Sequence, residues 1–306
     1  MTINNVGIFL YYNIGYMTKK ANTSIILTHR GLEKNEDFRF FESSLEAFKD
    51  HLSRGFGIEF DFNLTLDKKI IIMHDKTLLR ITGGRDARMV QSVLSEELKV
   101  LKLNGNRLCL FDELMLEIIK RNTKLNAFHI KGAFQKEEYL DILLKSLKPY
   151  GANVKRLILF DLLPHAAEYL LKRNPHLILA PSVAHPFDIN RYNQCVSGSL
   201  ISINDAIKYK NLYKWVWLDE WDLVNVNGTT KRLYTKETFE QLKNIGYQIA
   251  LVTPELHATS PGLLGNESHP DADPPKRLFR RISEIMDLQP DAICTDYPEV
   301  VKSMLP

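Results

Sequence analysis

Residues 55–75 read GFGIEFDFNLTLDKKIIIMHD. In the first part Ile58, Phe60 and Phe62 alternate with Glu59 and Asp61, the period of an extended strand. Side chains two apart on a strand project to one side, so the carboxylates share one face and the apolar residues take the other. Leu66-Asp67-Lys68-Lys69 then separates this run from Ile70-Ile71-Ile72-Met73-His74. So short a link cannot hold the crossover that parallel neighbours require, and the second run must return as an antiparallel hairpin arm.

Outward from this stretch, β-rich apolar runs recur at residues 24–28, 56–62, 125–130, 156–160, 177–180, 215–218, 248–252 and 291–295. Segments with helical spacing lie between them. Leu45, Phe48 and Leu52 share one helical face, as do Phe111, Leu114, Met115 and Ile118, and then Phe239, Leu242 and Ile245, with Gly246 placed to end that helix. Strands alternating with helices make parallel βα units covered on both faces. Eight of them predict an α/β chain folded as a (β/α)8 TIM barrel, with a small hairpin extension after strand 2.

The chain has 306 residues, an ordinary length for one such barrel, and shows no repeat or low-complexity linker, so residues 23–306 read as a single domain. Residues 1–22 read as an N-terminal extension, either untranslated, with Met17 as the start, or a cover for the barrel bottom. Its apolar segment at 6–17, VGIFLYYNIGYM, is too short to span a bilayer, and it lacks a preceding basic residue and a small-residue cleavage site. The longest irregular stretch, 255–275, carries His257, His269, Asp271 and Asp273 and reads as a substrate lid.

Composition excludes several classes. A hydrophobic share of 44% with 25% charged residues is a globular balance, with no sign of disorder. A net charge of +3, with basic residues spread along the chain, gives no footprint for nucleic acid or an anionic membrane. Cys109, Cys195 and Cys294 are far apart and lack metal-site spacing, which points to reduced thiols in a cytoplasmic protein.

Polar clusters fall at the ends of the predicted strands, where barrel enzymes act. They are His29-Arg30-Gly31, Glu59 with Asp61, His74-Asp75, and His129 with Lys131. In a closed barrel the two strand carboxylates point inward, and paired inward carboxylates require a cation. Such an oxygen site suits Mg²⁺, Ca²⁺ or Mn²⁺, its shell completed by water or substrate oxygens. Trp217, Asp219, Glu220 and Trp221 follow the sixth run, where aromatic walls and acids could hold a cationic or sugar-like alcohol group.

In their order these motifs resemble the glycerophosphodiester phosphodiesterase family, relatives in fold of the phosphatidylinositol-specific phospholipases C. The family's His-Arg-Gly resembles residues 29–31, its Glu-Asn-Thr with a downstream Ala-Phe resembles Glu42-Ser43-Ser44 with Ala47-Phe48, and its Gly-x-x-x-Glu-x-Asp strand resembles residues 55–61. Its Thr-x-Asp-Gly turn, His-Asp-x-x-Leu-x-Arg-x-Thr segment and terminal Thr-Asp-x-Pro resemble residues 65–68, 74–82 and 295–298. The likeness is dense over residues 28–84, thin through the middle, and resumes at the last strand.

The resemblance implies hydrolysis of a small-molecule glycerophosphodiester to a glycerol phosphate and an alcohol. His29 and His74 would be acid and base, Arg30 and Lys131 would bind the phosphate, and Glu59, Asp61 and His129 would hold one divalent metal ion. An imidazole suits the task because its pKa near 6.5 lets one ring accept and the other donate at neutral pH. The family's route also implies that a neighbouring substrate hydroxyl attacks first, giving a cyclic phosphate that water opens. Where the family has Glu-x-Lys after the third strand, this chain has His129-Ile130-Lys131. One negative charge is lost, and the balance moves toward Mn²⁺ or another transition ion. Two other functions share the motifs: a phospholipase D-like lyase that releases a cyclic phosphate, and a silent barrel used as a binding module. The lyases are mostly secreted and disulfide-bonded, unlike this cysteine pattern, and retention of both histidines speaks against the silent barrel. No nucleic-acid partner or stable membrane insertion is expected, and the oligomeric state is open.

Overall fold

Short parallel strands close edge to edge into a ring in the computed structural model, which describes residues 24–34, 37, 38, 40–196, 198–221, 223, 230–256 and 269–305. They are β1 (Ile25–His29), β2 (Gly57–Leu64), its hairpin arm β3 (Ile70–Ile72), β4 (Asn126–His129), β5 (Leu157–Phe160), β6 (Ile178–Leu179), β7 (Ser182–Val183), β8 (Trp215–Leu218), β9 (Gln248–Val252) and β10 (Ala292–Thr295). The order around the sheet is β6-β5-β4-β2-β1-β10-β9-β8-β7, with β3 antiparallel on β2. β6 and β7 are the two halves of one stave, interrupted at Ala180 and Pro181. Ala180 N donates to Leu159 O (2.9 Å) and Trp217 N to Pro181 O (3.0 Å), so the ladders continue on both sides and eight staves close the ring.

The expected fold class is the observed one, and the expected runs match to within a residue or two at most ends. The fifth differs most, because it continues to Val183 past a residue without a backbone N–H. The helical faces also form as read. Leu45–Ser53, Phe111–Arg121 and Lys236–Asn244 are helices that bury the named apolar residues except Ile245, which caps the last helix and is exposed, and Gly246 follows with φ +83. Lys68 stands where the resembling turn has glycine and takes φ +60.

Alternation along each stave sorts the core into two layers. Ile58, Phe60 and Phe62 pack outward under the helices with Phe128, Leu157 and Leu159. Leu27, Ala127, Ile158, Trp215, Ala250 and Ala292 fill the barrel interior. Gly57, Glu59 and Asp61 fall on this inner side by the same alternation. The hairpin extension carries its own small core of Ile71, Met73, Leu78, Val90, Leu98 and Leu103.

No helix among the described residues is long and apolar enough to cross a membrane. Cys109 and Cys294 are buried and unbridged, and burial raises both thiols' pKa. The N-terminal extension, its segment at 6–17, His257 and the side chain of Cys195 lie outside the described residues.

Gly57 is where the interior is tightest. A Cβ there would sit 2.2 Å from Leu125 O and 2.6 Å from a Leu27 methyl carbon, one of them immovable backbone. Gly57→Ala is therefore expected to lower stability by about 1–3 kcal/mol, as overpacking does. Urea unfolding followed by circular dichroism checks this, and an unchanged midpoint would refute the close approach.

Candidate active site

The register of the parallel strands decides which residues meet. His29 is paired with Glu59 across β1 and β2, Asp61 with His129 across β2 and β4, and His129 with Phe160 across β4 and β5. Beyond β1 the chain turns through two left-handed residues, Arg30 at φ +53 and Gly31 at φ +66. Gly31 suits both that conformation and the space, since a Cβ would meet that of Ala47 at 3.0 Å. Arg30 N donates to Glu59 O (3.0 Å) and Arg30 Nε to Asp61 Oδ2 (3.0 Å), which brings the guanidinium back over the barrel mouth.

His29, Arg30, Glu59, His74, His129 and Lys131 all line one cavity of about 300 Å³ at the strand C-termini. Asp61 lies beneath it, buried, and contacts three of them. The candidate residues drawn from separate parts of the sequence thus come together. Phe160, Trp217 and Trp221 form an aromatic wall of the same cavity, with Asp219 beside them. The Phe160 and Trp217 rings stack at 4.0 Å.

Each histidine is held by a carboxylate. His29 Nδ1 donates to Asp296 Oδ1 (3.0 Å), and His74 Nδ1 to Asp75 Oδ1 (2.8 Å). A carboxylate only accepts, so both rings carry their proton on Nδ1 and keep Nε2 for proton exchange. Asp296 is placed by Glu255, whose Oε1 accepts from Thr253 Oγ1 (2.7 Å), Thr295 Oγ1 (2.7 Å) and Asp296 N (3.0 Å). Burial and the nearby Asp296 raise the Glu255 pKa. Asp75 is gripped by Arg80 through Nε (2.7 Å) and Nη2 (2.9 Å), and Arg80 also donates to Glu42. The Asn63 amide fixes the turn by donating to Met73 O (2.8 Å) and Asp75 O (2.8 Å). Burial and the charge of Arg30 lower the pKa of His74 to about 3.

The carboxylates beneath the cavity divide in behaviour. Burial and the charge of Asp61 raise the pKa of Glu59, whose Oε2 is buried and accepts no hydrogen bond among the described residues. Burial would raise Asp61 too, but the charges of Lys131 and Arg30 and the bond from His129 hold it well below the usual range. Lys131 Nζ lies 3.2 Å from Asp61 Oδ1 and donates to His74 O, and burial lowers its pKa. His129 bonds two carboxylates, Asp61 Oδ1 at 2.8 Å through Nδ1 and Asp161 Oδ2 at 3.1 Å through Nε2. Burial would lower its pKa, yet the bonds to Asp161 and Asp61 outweigh that and raise it to about 9.

These donors fit a divalent ion. One donor atom each from Glu59, Asp61 and His129 lie within 4.8 Å of one another. The buried Glu59 Oε2 needs a positive partner, and the 2.8 Å approach of His129 Nδ1 to a carboxylate oxygen needs a proton or a metal ion between them. A second acidic group, Glu33, Asp50 and His51, is different. Arg54 reaches both of its acids, Nη1 donating to Asp50 at 2.9 Å and also to Glu33, whereas Arg30 and Lys131 reach Asp61 and leave Glu59 Oε2 without a hydrogen bond among the described residues.

One expectation resolves differently, and the expected lid at 255–275 lies mostly outside the described residues. Glu220 points away from the cavity, accepts from Leu233 N (2.6 Å) and Tyr234 N (3.0 Å), and pairs with Arg281 (3.2 Å). His269 and Asp271 belong to the same ion-pair network with Arg232 and Arg277, which anchors the C-terminal end of the loop at 255–275. Sequence reasoning missed the supporting acids Asp296, Asp161 and Glu255 and the Ser199 hydroxyl. Asp296 stood in the Thr-Asp-x-Pro motif and Asp75 beside His74, so those signals were present; Asp161, Ser199 and Glu255 had none.

Comparison with known proteins bears on the family and the fold. The family model described as "Glycerophosphoryl diester phosphodiesterase family" matches residues 29–191. A glycerophosphodiester phosphodiesterase of Caldanaerobacter subterraneus subsp. tengcongensis is 28% identical over 163 residues, 50% of this chain and 64% of that protein. The match thus spans somewhat under two thirds of the relative's length. A glycerophosphoryl diester phosphodiesterase structure from Parabacteroides distasonis superposes with a TM-score of 0.62 at 18% identity, covering 95% of this chain and 90% of that one. An Oleispira antarctica phosphodiesterase, solved with the product sn-glycerol-3-phosphate, gives 0.60 at 15% identity, covering 92% and 96%. At such identities the structures speak for the barrel fold.

The lowered pKa of His74 has a thermodynamic sign. An unfolded chain takes up this proton near pH 6.5, whereas the folded ring resists it down to about 3. The ring therefore costs nothing above pH 6.5 and destabilises increasingly as the pH falls below it. Nitrogen-resolved NMR is expected to show His74 neutral at pH 5, and His74→Gln is expected to flatten the loss of stability between pH 6.5 and 4. A His74 resonance that titrates near 6.5 would refute the burial argument.

Proposed function

The chain belongs to the glycerophosphoryl diester phosphodiesterase family, and from that premise we propose that it is a metal-dependent phosphodiesterase that hydrolyses glycerophosphodiesters to a glycerol phosphate and an alcohol. The observation that carries this reading is the pair of histidines, each with Nδ1 on a carboxylate, lining one cavity above a cluster of metal-binding donors.

His74, whose Nδ1 bond to Asp75 leaves Nε2 as the acceptor and which lines the cavity, is the ring placed to take the proton of the attacking hydroxyl as the new P–O bond forms. His29 then protonates the departing alkoxide as the old P–O bond breaks. In the second half their roles reverse if a cyclic phosphate has formed, with water as the attacking group. Asp296 and Asp75 keep the two rings in the productive tautomer and orientation. Arg30 and Lys131 bring fixed positive charges to the phosphoryl oxygens, Arg30 through a planar fork that matches them. Glu59, Asp61 and His129 would hold a divalent ion, which supplies positive charge for the oxygens as the transition state forms. The wall of Phe160, Trp217 and Trp221 with Asp219 is suited to a cationic or sugar-like alcohol group.

Phosphorus NMR of a glycerophosphodiester panel tests this. Linear glycerol phosphate is the expected product, lost on chelation and regained when a divalent ion is returned. His29→Ala and His74→Ala are each expected to lower turnover by about 10²–10⁴-fold while the melting temperature stays close to wild type. Unchanged turnover in both variants would remove the acid–base assignment. Accumulation of a cyclic phosphate would replace the hydrolase with a lyase.

A further inference from the structure

We propose that Asp161 and Ser199 hold His129 as an Nδ1 donor, so that the site takes a nitrogen-accepting ion such as Mn²⁺, Co²⁺ or Zn²⁺ in preference to Ca²⁺ or Mg²⁺. This rests on the reading of Glu59, Asp61 and His129 as the ion's ligands.

The tautomer follows from the bonds. Asp161 Oδ2 lies 3.1 Å from His129 Nε2 and, as a carboxylate oxygen, only accepts, so Nε2 carries a proton. By the same rule the ion-free ring also carries a proton on Nδ1, facing Asp61 Oδ1 at 2.8 Å, and a bound ion would take that proton's place between Nδ1 and Oδ1 while Nε2 keeps its bond to Asp161. A ligating histidine whose other nitrogen donates to a carboxylate is the arrangement that fixes ring orientation and raises donor strength.

Asp161 is itself held in place. Ser199 Oγ donates to the same Oδ2 at 2.5 Å, Gln135 Nε2 donates to its carbonyl at 2.5 Å, and its backbone sits at φ +68. The ring is further pinned by stacking on Phe160, with centroids 4.7 Å apart and planes within 14°. A site of two carboxylates and one imidazole carries less negative charge than three carboxylates and offers a borderline nitrogen. Both changes disfavour Ca²⁺ and Mg²⁺, which prefer oxygen donors.

The test uses the full chain stripped with a chelator and dialysed separately against Mn²⁺, Zn²⁺, Ca²⁺ or Mg²⁺, with bound ion counted by mass spectrometry. Electron spin echo modulation of the Mn²⁺ complex reads nitrogen ligation directly. Mn²⁺ and Zn²⁺ are expected to bind more tightly than Ca²⁺, and the Mn²⁺ signal to carry coupling from one imidazole nitrogen. His129→Glu should abolish that coupling and turn the preference toward Ca²⁺. Asp161→Asn tolerates the left-handed backbone and should weaken Mn²⁺ binding by about 10-fold or more, with Ser199→Ala weakening it less. If ions bind with nitrogen coupling but Ca²⁺ leads, this inference falls and the ligand reading survives; if ions bind without nitrogen coupling, His129 is not a ligand and both fall. If no ion binds, or binding survives Glu59→Gln with Asp61→Asn, the ligand reading falls and the inference with it.

Discussion

The buried carboxylate of Asp61 receives Arg30 Nε at 3.0 Å, His129 Nδ1 at 2.8 Å and Lys131 Nζ at 3.2 Å. An ionised group sealed from water is tolerable only where charges and hydrogen bonds replace its hydration. Three residues from two segments, the ends of β1 and β4, therefore converge on one point. The same constraint leaves Glu59, one pleat away, with a buried oxygen that accepts nothing among the described residues and a pKa driven upward. Glu59 is the buried acid of this pair left with an unpartnered oxygen, and it is there that a divalent ion would suit.

Around this centre the fold uses one device twice. His29 and His74 come from different elements, one at the end of β1 and the other after the hairpin arm, yet each is oriented by a carboxylate on Nδ1. Behind each carboxylate stands a second brace. Glu255 ties Asp296 to the ends of β9 and β10, and Arg80 ties Asp75 to Glu42. Rings held this way keep the same nitrogen toward the cavity, as a pair of proton carriers requires. The braces lie in loops; Glu255 and Asp296 are buried, which is costly unless every partner is in place, whereas Arg80 grips Asp75 from the exposed side.

Much of the fold was legible because strand and helix periods are local. Ile58, Phe60 and Phe62 against Glu59 and Asp61 gave both the strand and its inward face, and the short link at residues 66–69 gave the hairpin. The fifth stave was read short because Pro181 interrupts an otherwise continuous ladder, and the neighbours that rescue it lie on other strands. Within the site, the residues that stand in motifs were found. Glu220 was placed with the cavity on sequence proximity to Trp217, whereas its backbone partners at Leu233 and Tyr234 draw it away.

The sequence by itself determined the barrel class, the inward carboxylates and the two histidines, since each rests on spacing along one strand or one turn. The tertiary structure decided what those groups do to each other. Parallel register set His129 beside Asp61, and separate loops delivered Asp161, Ser199, Asp296 and Glu255 to the rings. Those pairings join residues 32 to 267 positions apart. Such distances leave no periodic trace in the chain, because burial and hydrogen bonding act through space and select partners only after the barrel has closed.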